Sequence, residues 1–250
     1  MKVKIDGEEV EFEEKKTILK AAEEIGIEIP TLCHHDGLEP YGVCRLCIVE
    51  IDQGGSKEID TACTRDIEDG MGIDTGSSEI KKKRKLIAEL LLARAPDSEE
   101  VKEVCEEVGV SETRFKERDS DCILCGKCTR ACEDELGVSA ISFVGRGYDR
   151  EVDTPFSINS EVCIGCGSCA EVCPTDAIEI EDEGDTRYIK YFNTELKMKK
   201  CEECGEYFSP ERMIEKLSEH DFPSLPDEYF DLCDSCTKKK ELGKFKEAYK

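Results

Sequence analysis

Seventeen cysteines in 250 residues, most of them in C-x-x-C clusters, are the side chains whose type and spacing could do chemistry. Thiols that close in sequence serve a metal better than a disulfide, which gains most from closing a long loop. Eight of them form a duplicated run. Cys122, Cys125 and Cys128 make C-x2-C-x2-C with Cys132 after three further residues; Cys163, Cys166, Cys169 and Cys173, just before Pro174, repeat it. In such pairs the fourth cysteine of each run ligates the other run's cluster. One [4Fe–4S] cube is therefore assigned to Cys122, Cys125, Cys128 and Cys173, and a second to Cys132, Cys163, Cys166 and Cys169. Gly126, Gly165 and Gly167 let backbone N–H groups approach the sulfurs, which tunes reduction potential.

Cys33, Cys44, Cys47 and Cys63 stand in a C-x10-C-x2-C-x15-C pattern. A [2Fe–2S] centre needs four thiolates, two per iron, with three on one loop and one farther on. The spacing is wider than the plant-type one, so the loop must be larger. A zinc site is disfavoured because the C-x-x-C pair lacks a matching second pair. His34 and His35 follow Cys33, but Rieske-type histidines replace two cysteines, and four are already present. They are expected to be structural or solvent-facing.

A fourth group pairs Cys201-x2-Cys204 with Cys233-x2-Cys236. Two facing knuckles give a tetrahedral set of four sulfurs suited to zinc, with a further iron–sulfur cluster as the alternative. The 28 intervening residues exceed a usual ribbon gap, so a helical insert near Pro210–Leu217 is expected. Cys105 is left over and reads as a small residue packed on a helix.

The elements that must position these thiols follow from local pattern. VKIDGEEVEF is a hairpin, with Val3 and Ile5 alternating inward, a turn at Asp6-Gly7, then Val10 and Phe12. Thr17 caps a helix ending at Gly26, and Cys47–Ile51 is a strand. Residues 79–95 form a helix stopped by Pro96, and a second helix runs from Ser98 to Val108 before Gly109. The charged segment after Glu181 reads as linker-like. The predicted class is α+β: a β-grasp [2Fe–2S] ferredoxin domain (1–78), a helical connector (79–118), a two-[4Fe–4S] bacterial-type ferredoxin domain (119–190) and a small four-cysteine knuckle domain (191–250).

Composition narrows the function classes. A formal charge of −24 repels phosphate backbones and disfavours nucleic acid as a partner. No run of 18 apolar residues exists, so a membrane-spanning helix is not expected, and the N-terminus shows no apolar export region, which points to the cytoplasm. A search for a catalytic acid, base or nucleophile finds only three histidines and no organised triad, which fits an electron carrier without an active site of its own.

PTLCHHDGLEPYGVCRLCIVEI, the TACTR around Cys63 and CILCGKCTRACEDELGVSAISFVGRG resemble the N-terminal half of the large iron–sulfur subunit of NADH:quinone oxidoreductase. They resemble still more the related subunits of [FeFe]-hydrogenases, NAD-linked formate dehydrogenases and electron-bifurcating flavin complexes. The resemblance covers about residues 1–190. It implies an oxidoreductase electron-transfer subunit beside a flavin subunit that handles NAD(H), joined by a thioredoxin-like [2Fe–2S] subunit and passing electrons to ferredoxin or a further catalytic subunit. Two departures stand out. Relatives carry an additional cluster held by one histidine and three cysteines, yet between Cys63 and Cys122 this chain has only Cys105 and no histidine. Relatives also continue into a hydrogenase or molybdopterin domain, so the terminal catalytic step is expected in another subunit. A free-standing shuttle and a redox-sensing interaction module are the competing functions.

Overall fold

The computed structural model describes residues 1–219 and 230–248; His220 lies outside them. The chain divides into two compact units. The first takes Met1–Lys127 with Val172–Ala177, the second Cys128–Glu171 and the chain from Ile178 onward.

The first unit is built on a five-stranded sheet. Strands β1 (Lys2–Ile5) and β2 (Glu8–Glu11) make the N-terminal hairpin, with Val3 and Ile5 buried and Lys2 and Lys4 outside. Asp6 and Gly7 turn it with φ of 48° and 94°, the left-handed pair that a two-residue hairpin loop demands. Helix α1 (Ile18–Glu24) starts where the Thr17 hydroxyl accepts from the Lys20 amide at 3.3 Å. Strands β3 (Ile48–Gln53), β4 (Ser56–Thr61) and β5 (Gly72–Asp74) complete the sheet in the order β2-β1-β5-β3-β4, with β1 and β5 parallel. Ile18, Ala21 and Ala22 of α1 pack with Ile5, Val49, Ile51 and Ile73 in one core. Such burial stabilises by roughly 1.5–3 kcal/mol per large aliphatic side chain.

Helices α2 (Ser78–Arg94) and α3 (Glu99–Glu107) follow, each capped by a serine hydroxyl, Ser77 and Ser98. Pro96 cannot continue the first. Their inner faces, Ala88, Leu91, Leu92, Val101 and Cys105, form a second core with Leu32, Leu46, Ile123 and three cysteines, Cys33, Cys44 and Cys125. Cys105 is fully buried, its Sγ donating to Ala88 O at 3.3 Å.

Helix α4 (Lys127–Arg130), whose first residue belongs to the first unit, runs into a π-helical turn of the second, Ala131–Glu135. Strands β6 (Ser142–Val144) and β7 (Glu151–Asp153) pair, and helix α5 (Ser168–Glu171) lies within the second cysteine run and carries Cys169. The linker-like reading after Glu181 is wrong. Residues there form an antiparallel sheet of β8 (Ile180–Glu183), β9 (Thr186–Ile189), β10 (Thr194–Lys200) and β11 (Tyr207–Pro210) in the order β11-β10-β9-β8. TELKMKK keeps the period of a strand: Thr194, Leu196 and Met198 are buried while the charged residues alternate outward. Helix α6 (Glu211–Glu219) supplies the expected helical insert, and α7 (Asp234–Ala248) starts within the last knuckle and carries Cys236.

Candidate iron–sulfur and metal centres

The β3–β4 hairpin builds the first centre. Gly54 and Gly55 turn it with φ of 64° and 87°, and its last rung pairs Ile48 with Thr61. Cys47 precedes one strand and Cys63 follows the other, so their sulfurs meet at 3.3 Å. The Cys44 amide donates to Cys33 Sγ at 3.5 Å. The thiols of Cys44 and Cys63 hydrogen-bond to Cys33 and draw its pKa well down. All four cysteines are buried. Four neighbouring thiols with amide donors beside them fit a [2Fe–2S] centre, which takes two thiolates per iron.

His35 Nδ1 accepts from the Gly37 amide at 3.1 Å, and His34 Nε2 lies 3.5 Å from Asp36.

Sequence reasoning missed the charge that faces this centre. Arg84 of α2 is buried, yet it reaches back to donate to Leu46 O at 2.8 Å, Ile48 O at 2.7 Å and Thr75 O at 3.2 Å. Burial lowers its pKa, and the Cys47 thiol opposes that shift. Lys127 is a second buried cation, and the thiols of Cys125, Cys33, Cys173 and Cys44 oppose the lowering that burial imposes on it. A −24 chain thus places positive charge beside its cysteines. The signal lay in the sequence only as an arginine in a helical run and a lysine within a cysteine run, with nothing to mark them as buried.

Of the first cubane set, Cys122, Cys125 and Cys173 lie in the first unit. Burial pushes the Cys125 thiol up to about 11, with Cys173 and Cys122 adding to the rise. The Leu124 amide donates to Cys122 Sγ at 3.4 Å, and Arg94 Nε donates to Cys122 O at 2.9 Å. Cys128 is buried within α4. Leu124 holds φ of 55°, matching Gly165 at 71° in the second run, so both loops take one backbone path.

Cys132, Cys163, Cys166 and Cys169 line one apolar cavity with Ile141, Ile164 and Phe192. The Ala140 amide donates to Cys132 Sγ at 3.3 Å, and the Gly165 amide hydrogen-bonds to the Cys163 sulfur. Burial raises Cys169 to about 12. Thiols so buried shed their protons to a metal far more readily than to water. Four thiols converging on a dry cavity with amide donors fit a cubane.

The sulfurs of Cys201, Cys204, Cys233 and Cys236 all lie within 4.8 Å of one another. Cys204 and Cys233 are 3.7 Å apart, close to the about 3.8 Å edge of a tetrahedron with metal–sulfur bonds of about 2.3 Å. Backbone amides of Cys204 and Cys233 hydrogen-bond to Cys201 and bring its thiol down to about 6.

Comparison with known proteins agrees with this geometry. Residues 1–78 match a 2Fe-2S iron-sulfur cluster binding domain, and residues 121–177 match a 4Fe-4S dicluster domain, with an overlapping match over 162–206. The chain is an iron–sulfur protein with a 2Fe-2S domain and a 4Fe-4S dicluster domain. Its relatives include subunits of NADH- and NADPH-linked oxidoreductases. It is 34% identical over 205 residues to an NADH-quinone oxidoreductase subunit of Rhizobium meliloti, covering 71% of this chain and 24% of the relative. It is 34% identical over 199 residues to the alpha subunit of the NADPH-Fe(3+) oxidoreductase of Geobacter sulfurreducens, covering 70% and 23%. The chain therefore spans about a quarter of the length of these relatives. A chain of an NAD+-reducing [NiFe]-hydrogenase crystal structure aligns with TM-score 0.59 and 26% identity, covering 70% of this chain and 85% of that one. Among the described residues no helix is long and apolar enough to cross a membrane.

Proposed function

We propose that this chain is the iron–sulfur relay of a cytoplasmic NAD(H)-linked oxidoreductase complex, carrying electrons between a flavin subunit and a further redox partner. In this reading a β-grasp domain (1–78) holds one [2Fe–2S] cluster on Cys33, Cys44, Cys47 and Cys63. A helical connector (79–118) joins it to a bacterial-type ferredoxin domain (119–190). That domain holds one [4Fe–4S] cluster on Cys122, Cys125, Cys128 and Cys173 and another on Cys132, Cys163, Cys166 and Cys169. The knuckle domain (191–250) holds one zinc ion on Cys201, Cys204, Cys233 and Cys236; sulfurs within 4.8 Å suit a single ion better than a cluster, whose thiolates sit on separate irons. The clusters supply one-electron storage, and the chain's own residues supply spacing, charge and exclusion of water. The partners are a flavin-containing, NADH dehydrogenase-type subunit, a thioredoxin-like [2Fe–2S] subunit and either ferredoxin or a further catalytic subunit. Electron bifurcation belongs to some complexes of this kind.

One observation carries the proposal. Cys33 and Cys44 of the first centre and Cys125 of the next are members of the same buried cluster, so ligands of two centres share one dry core. That is an arrangement for passing charge between inorganic centres.

The test is isolation of the native complex under anaerobic conditions. A stable assembly containing flavin, in which NADH reduces the clusters of this chain, supports the relay. A lone protein reduced only by other carriers would make it a shuttle. Oxygen-triggered changes in partner binding without NADH-driven reduction would make it a sensor.

A further inference from the structure

The terminal four-cysteine group and the loop carrying Cys163 and Cys166 sit at opposite ends of one hairpin. Strands β10 and β11 pair antiparallel, Met198 opposite Pro210 and Lys200 opposite Tyr207. The tip is the first knuckle, where the Cys201 amide donates to Glu206 O at 2.8 Å and the Gly205 amide to Cys201 O at 3.0 Å. At the base, Pro210 Cγ and Leu196 Cδ1 lie 2.8 Å and 3.2 Å from where a Cβ on Gly165 would stand. Helix α6 leaves this base, and its Arg212 Nη1 donates to Ser160 O at 2.8 Å and Cys163 O at 3.4 Å. From β9, Arg187 donates to Gly165 O at 2.8 Å while Asp182 holds its other nitrogens at 2.7 Å. Sheet and helix thus grip the backbone of the loop that carries two sulfurs of the second cubane set.

Among the described residues, the tip has little of its own to hold it. Its buried cluster is Cys201, Leu232 and Cys236, with Phe208 and Cys233 packed alongside, so three of the five side chains are cysteines. A core that small cannot offset the chain entropy of ordering two knuckles. An ion bound by four thiolates can, because binding to a site absent from the unfolded chain is folding free energy. The second knuckle reaches the hairpin through the same sulfurs: the Cys233 amide donates to Cys201 Sγ at 3.3 Å, and Lys199 pairs with Asp231 at 2.6 Å.

Resting on the zinc reading above, we propose that the ion of the four-cysteine site is a structural bracket for the second [4Fe–4S] cluster. It clamps the β10–β11 hairpin, and the hairpin with Arg212 fixes the loop that ligates the cube. The ion takes no electron. It keeps Cys163 and Cys166 in place around a cluster that would otherwise lose iron.

The test uses the full-length protein, purified anaerobically, as wild type, C204S/C236S and R212Q. Zinc content, the rate of iron release to a ferrous chelator and the spectra of the reduced clusters are read for each. The expected result is a C204S/C236S protein without zinc that releases the iron of one cube at least ten-fold faster, its [2Fe–2S] signal unchanged. R212Q should keep zinc and still release that iron several-fold faster. Wild-type release rates in either variant overturn the bracket, and if the double variant fails to accumulate, R212Q decides alone. Metal analysis of the wild type separates the two layers. Absence of zinc defeats the zinc reading, whereas zinc present with an indifferent cube defeats the bracket only.

Discussion

The guanidinium of Arg84 and the carbonyl of Leu46 meet at 2.8 Å, and a second bond at 2.7 Å to Ile48 O puts the same side chain on the carbonyls of both residues flanking Cys47. A buried cation with that geometry needs a countercharge, and the Cys47 thiol is the one that opposes its loss of charge. An anionic thiolate cluster at this position would supply it.

R84Q is therefore expected to make the [2Fe–2S] potential more negative, by on the order of 50–100 mV, because adding an electron loses a nearby positive charge. R84K keeps the charge and should retain most of the potential while losing stability through its missing carbonyl bonds. A redox titration followed by EPR separates the two. Equal shifts in both variants would mean that Arg84 acts only by holding the backbone.

Replacing Cys44 by alanine should remove the [2Fe–2S] signal and leave the cubes. Its amide donates to Cys33 Sγ and its thiol belongs to the same buried set, so no other cysteine of that centre can stand in. EPR of the reduced variant checks this; an unchanged [2Fe–2S] signal would defeat the assignment.

Gly165 tolerates no side chain. Its φ is 71°, and a Cβ would stand 2.8 Å from Pro210 Cγ. G165A combines left-handed strain with overpacking and should destabilise the fold by about 2–4 kcal/mol. Chemical denaturation measures the loss, and the iron of the second cube should fall with it.

C105A should keep every cluster. The thiol is buried and its Sγ lies 3.3 Å from Ala88 O, so the change costs about 1 kcal/mol for a small void and a weak hydrogen bond. A drop in iron content would instead make Cys105 a ligand.

The N-terminal hairpin and the helices were legible because their signals are local. Alternation at Val3 and Ile5, a hydroxyl cap at Thr17, and Pro96 as a stop all act within one element. Strands β4 and β5 were not. SKEIDT is mostly polar, and β5 has three residues, so neither carries a period of its own. The sheet over 180–210 hid for a related reason: its outward positions are so charged that Leu196 and Met198 were lost among lysines. The cysteine sets were legible by spacing alone. The arginines that serve them were not, since Arg84 and Leu46 lie 38 residues apart and only the fold brings them together.

Iron held by thiolate is what the relay cannot do without. Anaerobically purified full-length protein, assayed for iron, acid-labile sulfide and zinc alongside EPR of its reduced form, should give about ten irons and about one zinc per chain, with signals from both cluster types. A colourless protein with those cysteines filled by zinc alone, or joined as disulfides, would contradict it.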